Sequence, residues 1–222
     1  MIEFLKWDSD FFGKKIGRID WTTSEIISYH DLDKDNYDMI YIFSSHPLKI
    51  NVALMDVKVT FSKSVNYYKP HSEIAIFDKK KHSYSSLLKL AYLSGHDSRF
   101  LKDSFFGEQA YKKMYKQWLD NAISNESILV FVAILNNSIQ GFVTVHQQAI
   151  HSTIGLIAVS KEVQGAGLGK KLIQSVENAI TFGSTLYVPT QETNIGACAF
   201  YTKTGFKISK KQYLYHDAVR TL

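Results

Sequence analysis

Val57, Val59 and Phe61 alternate with Lys58, Thr60 and Ser62, so the segment 57–65 reads as a strand with one apolar and one polar face. Two earlier segments, KIGRIDW (15–21) and DMIYIFS (38–44), are also strand-like, and the polar stretch around Ser24 to Lys34 between them is compatible with a helix. The period then changes. Leu87, Leu88, Ala91 and Tyr92, followed by Ala110, Tyr111, Met114, Tyr115, Trp118 and Leu119, recur at helical spacing and predict helices over about 82–124. Their connection, SGHDSRFLKDSFFG, is too long and too rich in polar and aromatic residues for a simple turn.

Beyond residue 126 the pattern predicts strands at 127–135 and 139–147 joined by an Asn136-Asn137 turn, then a strand at 152–159 and a glycine-rich loop. A helix over about 168–182, a strand at 185–190, a helix at 194–204 and a final strand pair around 206–220 complete the chain. The expected class is α/β (α+β), with a mixed central sheet flanked by helices. Pro70, within YYKPHSE, marks the expected boundary between a small N-terminal α/β domain (1–70) and a larger domain (71–222).

Composition narrows this only a little. With 222 residues, 45% hydrophobic and 21% charged, the chain can bury a substantial core. The net charge of +5 is a mild bias that favours anionic ligands. Apart from Lys79, Lys80, Lys81 and His82 the basic residues are scattered, so no nucleic-acid surface is expected. Cys198 is the one cysteine, which excludes an intrachain disulfide and fits a reducing, cytoplasmic compartment. MIEFLKWDSDFF lacks the basic-then-apolar pattern of a secretory signal. The apolar run ILVFVAIL falls far short of the ~20 residues that span a bilayer, so no membrane span is expected. The eight histidines show no metal-ligand spacing, and no metal is expected.

Chemistry concentrates in two motifs. The strand TIGLIAVS feeds into KEVQGAGLG, and Leu168, Leu172, Ile173, Val176, Ala179 and Ile180 then mark an apolar helix face. A strand, closely spaced glycines and a helix N-terminus present free backbone N–H groups to an anion, and the helix dipole adds to the attraction. Gly165, Gly167 and Gly169 let a diphosphate approach closely, with Lys170 and Lys171 at the rim. The loop is no Walker P-loop, because no hydroxyl follows its lysine, and its evenly spaced glycines do not match G-x-G-x-x-G. In the second motif, TNIGACAFYTKTGF, Asn194 is placed to cap a helix and Gly205 to end it with left-handed backbone. Asn194, Ala197 and Tyr201 share one face of that helix.

Gln164 to Gly169 resemble the Q/R-x-x-G-x-G/A coenzyme A loop of the GNAT acetyltransferases, and 194–206 resemble that family's N-x-x-A-x-x-F-Y-x-x-x-G-F pattern. The resemblance implies a GNAT fold with two splayed strands, acetyl-CoA as co-substrate and N-acetyl transfer by direct amine attack. It implies that Ile157, Ala158 and Val159 meet the pantetheine arm. Gln164, Gly165, Ala166, Gly167, Leu168, Gly169 and Lys170 would hold the pyrophosphate. Asn194, Ala197 and Tyr201 would line the site, with Tyr201 as general acid. Cys198 lies one position off that face and is expected to be a small buried hydrophobe rather than a nucleophile. For the amine proton, His96, His146 and water remain open.

The acceptor must be read elsewhere. WDSDFFG (7–13), HDSRFLKDSFF (96–106) and YKQWLDNAI (115–123) resemble GNAT enzymes of surface polysaccharide biosynthesis that acetylate a nucleotide-linked 4-amino-4,6-dideoxy sugar. The implied partner is a nucleotide amino sugar, bound by Arg99, Phe106 and Trp118. Arg99 can grip a phosphate with two parallel hydrogen bonds, or instead pair with Asp97 or Asp103 and order the connection. Trp7, Asp8, Phe11 and Phe12 are expected to join the two domains. A peptide, protein or small-molecule amine, or a non-catalytic acyl-CoA-binding role, is also open. So is the choice between monomer and homodimer.

Overall fold

The period-two segments pair edge to edge in the computed structural model, which describes residues 1–21, 34–148 and 150–219. The helix expected around Ser24 to Lys34 lies, apart from Lys34, outside the described residues. In chain order the elements are β1 (Glu3–Phe4), α1 (Lys6–Phe12), β2 (Ile16–Trp21), β3 (Met39–Ser44), β4 (Ala53–Ser64) and β5 (Ile74–Ile76). Then follow α2 (Tyr84–Ser94), α3 (Arg99–Lys102), α4 (Gly107–Ser124), β6 (Ile128–Leu135), β7 (Ser138–Gln147) and β8 (His151–Val159). The last are α5 (Leu168–Ala179), β9 (Thr185–Gln191), α6 (Ile195–Lys203) and β10 (Lys207–Ala218).

Among the described residues all the strands join one ten-stranded sheet in the order β1-β2-β3-β10-β4-β9-β8-β7-β6-β5. Most neighbours are antiparallel, and β2/β3 and β8/β9 are parallel. The β6–β7 hairpin turns at Asn136 and Asn137, both with positive φ (49° and 58°), as a two-residue turn between right-twisted strands requires. The final strand pair expected over 206–220 is a single twelve-residue strand, β10. Its register against β4 shifts between Ile208 and Lys210 and again between Leu214 and Tyr215, irregularities that the strand takes up without a turn. The long connection 94–107 contains the short helix α3, capped by Ser98.

Alternation decides which face each side chain takes. On one face Val59, Phe61, Val143, Val145, Ile154 and Val188 pack with Leu168, Leu172 and Val176 of α5 and Tyr201 of α6. On the other, Val130, Val132, Phe142 and Leu156 meet Leu87 and Ala91 of α2 and Met114 and Leu119 of α4. Each buried Val, Leu, Ile, Phe or Met side chain among them contributes about 1.5–3 kcal/mol.

The strand read from 57–65 lies at the centre of this arrangement. β4 is paired on one edge with β10 and on the other with β9. A division at residue 70 therefore passes through one continuous hydrogen-bonded sheet. Lys63 of β4 also ties it to the helices behind: its Nζ lies 2.8 Å from Glu177 Oε1 of α5 and donates to the Thr204 carbonyl at 3.1 Å. Glu177 Oε2 accepts from Asn66 N–H at 3.0 Å.

β8 and β9 stay together only briefly. Their parallel pairing covers His151–Thr185, Ser152–Leu186 and Thr153–Tyr187, and then stops. In β8 the register against β7 shifts between Val143–Ile157 and Val145–Ile154, which leaves one extra residue at Gly155–Leu156. The Leu156 N–H there donates to Thr144 Oγ1 at 2.9 Å. This bulge bends β8 away, while pairing with β4 as far as Lys58–Gln191 holds β9 in place.

Because the Lys63 and Glu177 side chains are 7% and 0% exposed, Lys63→Met strands a buried carboxylate. The expected loss is about 3–5 kcal/mol of unfolding free energy, read from urea denaturation midpoints.

Candidate active site

Two cavities open from the gap between β8 and β9, and they share Ser94, Ile157, Asn194, Ala197 and Tyr201 as walls. The larger, about 760 Å³, runs past Ile157 to Val159 and over the loop at the start of α5. The smaller, about 260 Å³, lies on the other side of Tyr201, bounded by Asp56 and Lys58 of β4, Arg99 and Phe100 of α3, and Tyr115 and Trp118 of α4.

The wall of the larger cavity follows from strand geometry. Successive residues of a strand direct their N–H and C=O groups to opposite edges. Leu156 N–H and Ser160 N–H bond towards β7, at Thr144 and Gln140, so Ile157 and Val159 direct theirs into the gap. The Val159 carbonyl accepts from Gln164 Nε2 at 3.0 Å, which pins the loop to the end of the strand. Ala158, midway between, turns its backbone to β7 and offers the cavity only its side chain.

The three glycines have different tasks. Gly165 and Gly167 both have φ of +82°, a left-handed conformation costly for other residues, and a Cβ at either would meet nothing within 4 Å. At Gly169 the restriction is packing instead, because a Cβ would come 3.1 Å from Phe200 Cζ of α6. The N–H groups of Gly165, Gly167, Leu168, Gly169 and Lys170 find no acceptor among the described residues. They lie at the positive end of a twelve-residue helix and form an anion cradle. Lys161, Lys170 and Lys203 also line this cavity, whereas Lys171 turns away to pair with Glu73 at 2.5 Å. Of the residues expected here from the first motif, Ala166 and Lys171 do not line the cavity.

Asn194 caps α6, its Oδ1 accepting from Ala197 N–H at 3.0 Å, and Gly205 ends the helix region at φ +90°. The shared face read from the sequence thus becomes the partition between the two cavities. Tyr201 is 3% exposed, and its hydroxyl makes no hydrogen bond to any described residue. Burial, with a smaller contribution from Cys198, holds the phenol well above its usual range, so it stays protonated. Cys198 is half-buried with its Sγ 3.6 Å from the Gln191 carbonyl, and burial and Glu192 raise its pKa, so it is a poor nucleophile.

Arg99 and Trp118 line the smaller cavity, and Phe106 does not. Phe106 is packed in an aromatic cluster with Phe12 at 4.6 Å, Phe100 at 5.2 Å and His216 at 5.9 Å. Neither expected ion pair of Arg99 forms: Asp97 is 3.7 Å from Lys102, and Asp103 is 2.5 Å from His216 Nδ1. The guanidinium lies over the Phe100 and Tyr41 rings, 4.3 and 5.3 Å from their centroids, with Nε buried and unpartnered among the described residues. Lys58 likewise has no carboxylate within 4 Å among the described residues. Asp56 and Lys58 went unassigned in the sequence, although the polar face of the 57–65 alternation already carried Lys58.

Residues 97–206 match the model of the acetyltransferase (GNAT) family, about half of the chain. Residues 97–206 are a GNAT-family acetyltransferase domain. The GNAT fold also appears in solved structures. A functionally unknown conserved protein from Staphylococcus epidermidis aligns with TM-score 0.60 and 12% identity over 83% of this chain and 73% of its own. A GNAT-family acetyltransferase from Colwellia psychrerythraea aligns with TM-score 0.53 and 13% identity, over 82% of this chain and 65% of its own. A GNAT-family protein from Novosphingobium aromaticivorans gives 0.52 and 12%, over 81% and 73%. No curated protein matches the chain.

GNAT enzymes are N-acetyltransferases that use acetyl-CoA, and the features of the larger cavity fit that molecule: unpaired N–H groups and lysines for a diphosphate, and an open strand edge for the two amides of a pantetheine arm. Among the described residues no helix is long and apolar enough to cross a membrane, and no three His, Cys, Asp or Glu side chains are placed to hold a metal. Gly167→Ala forces a side chain into the left-handed region at a cost of about 1–2 kcal/mol. A roughly 5- to 30-fold weaker acetyl-CoA affinity is expected, measured by isothermal titration.

Proposed function

We propose that the protein transfers the acetyl group of acetyl-CoA to the amine of a nucleotide-linked 4-amino-4,6-dideoxy sugar, as an enzyme of surface polysaccharide biosynthesis. The segments 7–13, 96–106 and 115–123 support this reading through their resemblance to dTDP-fucosamine acetyltransferase. The observation that carries it is the smaller cavity, where two cations without ion pairs among the described residues, Arg99 and Lys58, stand beside Tyr201. Phosphate groups satisfy such cations, and Arg99 offers a planar donor set suited to bidentate contact. Trp118 adds an aromatic wall for a sugar ring.

In this reading acetyl-CoA occupies the larger cavity, its diphosphate on the unpaired N–H groups from Gly165 to Lys170 and its pantetheine arm along Ile157 and Val159. The acceptor enters from the smaller cavity, and the two meet at Tyr201. Expulsion of a thiolate, whose conjugate thiol has a pKa of about 8.5, requires a proton or a strong hydrogen bond at sulfur. The Tyr201 phenol supplies it without an enzyme-bound intermediate.

Thiol release from acetyl-CoA, followed over a panel of dTDP- and UDP-amino sugars, peptides and simple amines, tests the reading. Nucleotide amino sugars are expected to react fastest, and a panel in which only peptides react would overturn it. Tyr201→Phe is expected to lower kcat about 10²- to 10⁴-fold with acetyl-CoA affinity almost unchanged.

A further inference from the structure

We infer that Asp56, on the strand β4, is the group that takes the proton from the incoming amine. The inference rests on the smaller cavity being the acceptor site. An alkylammonium, with a pKa of about 10, must lose a proton before its nitrogen can attack. The site therefore needs a proton acceptor on the acceptor's side of Tyr201, and among the described residues Asp56 is the one carboxylate in that cavity's wall.

Elimination agrees. His96 lies in the other cavity, exposed and 3.8 Å from Asp97. His146 is exposed on β7 and borders neither cavity. His216 is buried with Nδ1 on Asp103, and it too borders neither. Tyr115, the remaining titratable group facing the cavity besides Lys58, Arg99 and Tyr201, is kept protonated by burial.

Register explains the location. Lys58 pairs with Gln191, the last residue of β9, and the Val57 carbonyl accepts from Glu192 N–H at 2.8 Å. Asp56, one residue further back along β4, therefore lies beside the turn that leads to Asn194 and the first turn of α6. The groups that face it are Lys58 on its own strand, Arg99 and Lys102 from α3, and Tyr115 from α4. No ion pair or side-chain hydrogen bond joins any of them to Asp56 among the described residues. Burial raises its pKa, and Arg99 and Lys102 oppose the rise. A carboxylate so placed is a stronger base than an exposed one.

The proton ledger closes. The ammonium gives one proton to Asp56, and the free amine attacks the thioester carbon. As the N–C bond forms and the C–S bond breaks, the sulfur takes the Tyr201 proton. The nitrogen's second proton restores Tyr201, and Asp56 passes its own to solvent. The products are the amide, coenzyme A as thiol and one proton.

The test compares Asp56→Asn with wild type in thiol release from acetyl-CoA, using whichever panel amine the wild type acetylates fastest and, separately, hydroxylamine, which is already neutral at pH 7. With the ammonium acceptor, kcat/KM should fall about 10²- to 10⁴-fold. Its acid limb should also move up to the acceptor's own pKa, because the neutral amine must then come from solution. With hydroxylamine the rate should stay close to wild type, and acetyl-CoA affinity should be retained. Asp56→Glu, which keeps a carboxylate, should recover much of the loss. An unchanged rate and pH profile, an equal loss with both nucleophiles, or a Glu variant as slow as Asn would overturn the assignment. Rejection of every nucleotide amino sugar would instead refute the proposed substrate and leave the Asp56 test intact on any accepted amine.

Discussion

The site depends on a parallel strand pair that fails to stay paired. Had β8 and β9 run together beyond Thr153 and Tyr187, their edges would have satisfied each other and no cavity would open between them. Two constraints force the separation. A bulge at Gly155–Leu156, with its displaced N–H satisfied by Thr144, turns β8 towards β7, and the long pairing with β4 keeps β9 where it is. The free edge of β8 is left with unmet hydrogen-bonding groups, a cost that a polar chain in the gap removes. Fold and ligand chemistry are therefore linked at one step.

β4 shows how a single alternating strand can serve both. Val59 and Phe61 are buried against the layer of α5 and α6, while Lys58 and Asp56 face the smaller cavity. Lys63, further along, locks the same strand to Glu177 on α5. A shift of one residue in its pairing would exchange the faces, burying Lys58 and exposing Phe61. Core packing thus fixes the register, and the register sets the positions of the charged groups that face Tyr201.

Much of this was legible in the chain. The strands, the Asn136-Asn137 turn, the left-handed end at Gly205 and the common face of Asn194, Ala197 and Tyr201 follow from local rules of period, cap and turn, which the neighbours of each residue largely determine. The smaller cavity did not follow, because it is built from β4, α3, α4 and β9, and no local pattern tells which strands become neighbours. Phe106 illustrates the limit: an aromatic beside a basic residue resembles a ligand wall, and only tertiary packing reveals it as part of the Phe12–Phe100 cluster. Likewise, the glycines at 165, 167 and 169 look equivalent in sequence. Backbone angle and the distance to Phe200 separate two left-handed positions from a packing position.

The charges of the smaller cavity carry a last consequence. A cation held partly out of water without a carboxylate contact, with one N–H buried and unbonded, is costly while the site is empty. Cation–π contact with Phe100 and Tyr41, and the more distant Asp8 and Asp56, offset part of that cost for Arg99. In the proposed function, an acceptor that brings an anionic group would satisfy the remainder, whereas an otherwise similar neutral amine would displace solvent and leave the guanidinium unmatched. Discrimination of this kind is stronger than an apolar pocket achieves, since the wrong ligand loses a hydrogen bond to a desolvated charge rather than a few contacts. In that proposal, the same unpaired state that weakens the free protein sharpens its choice of acceptor.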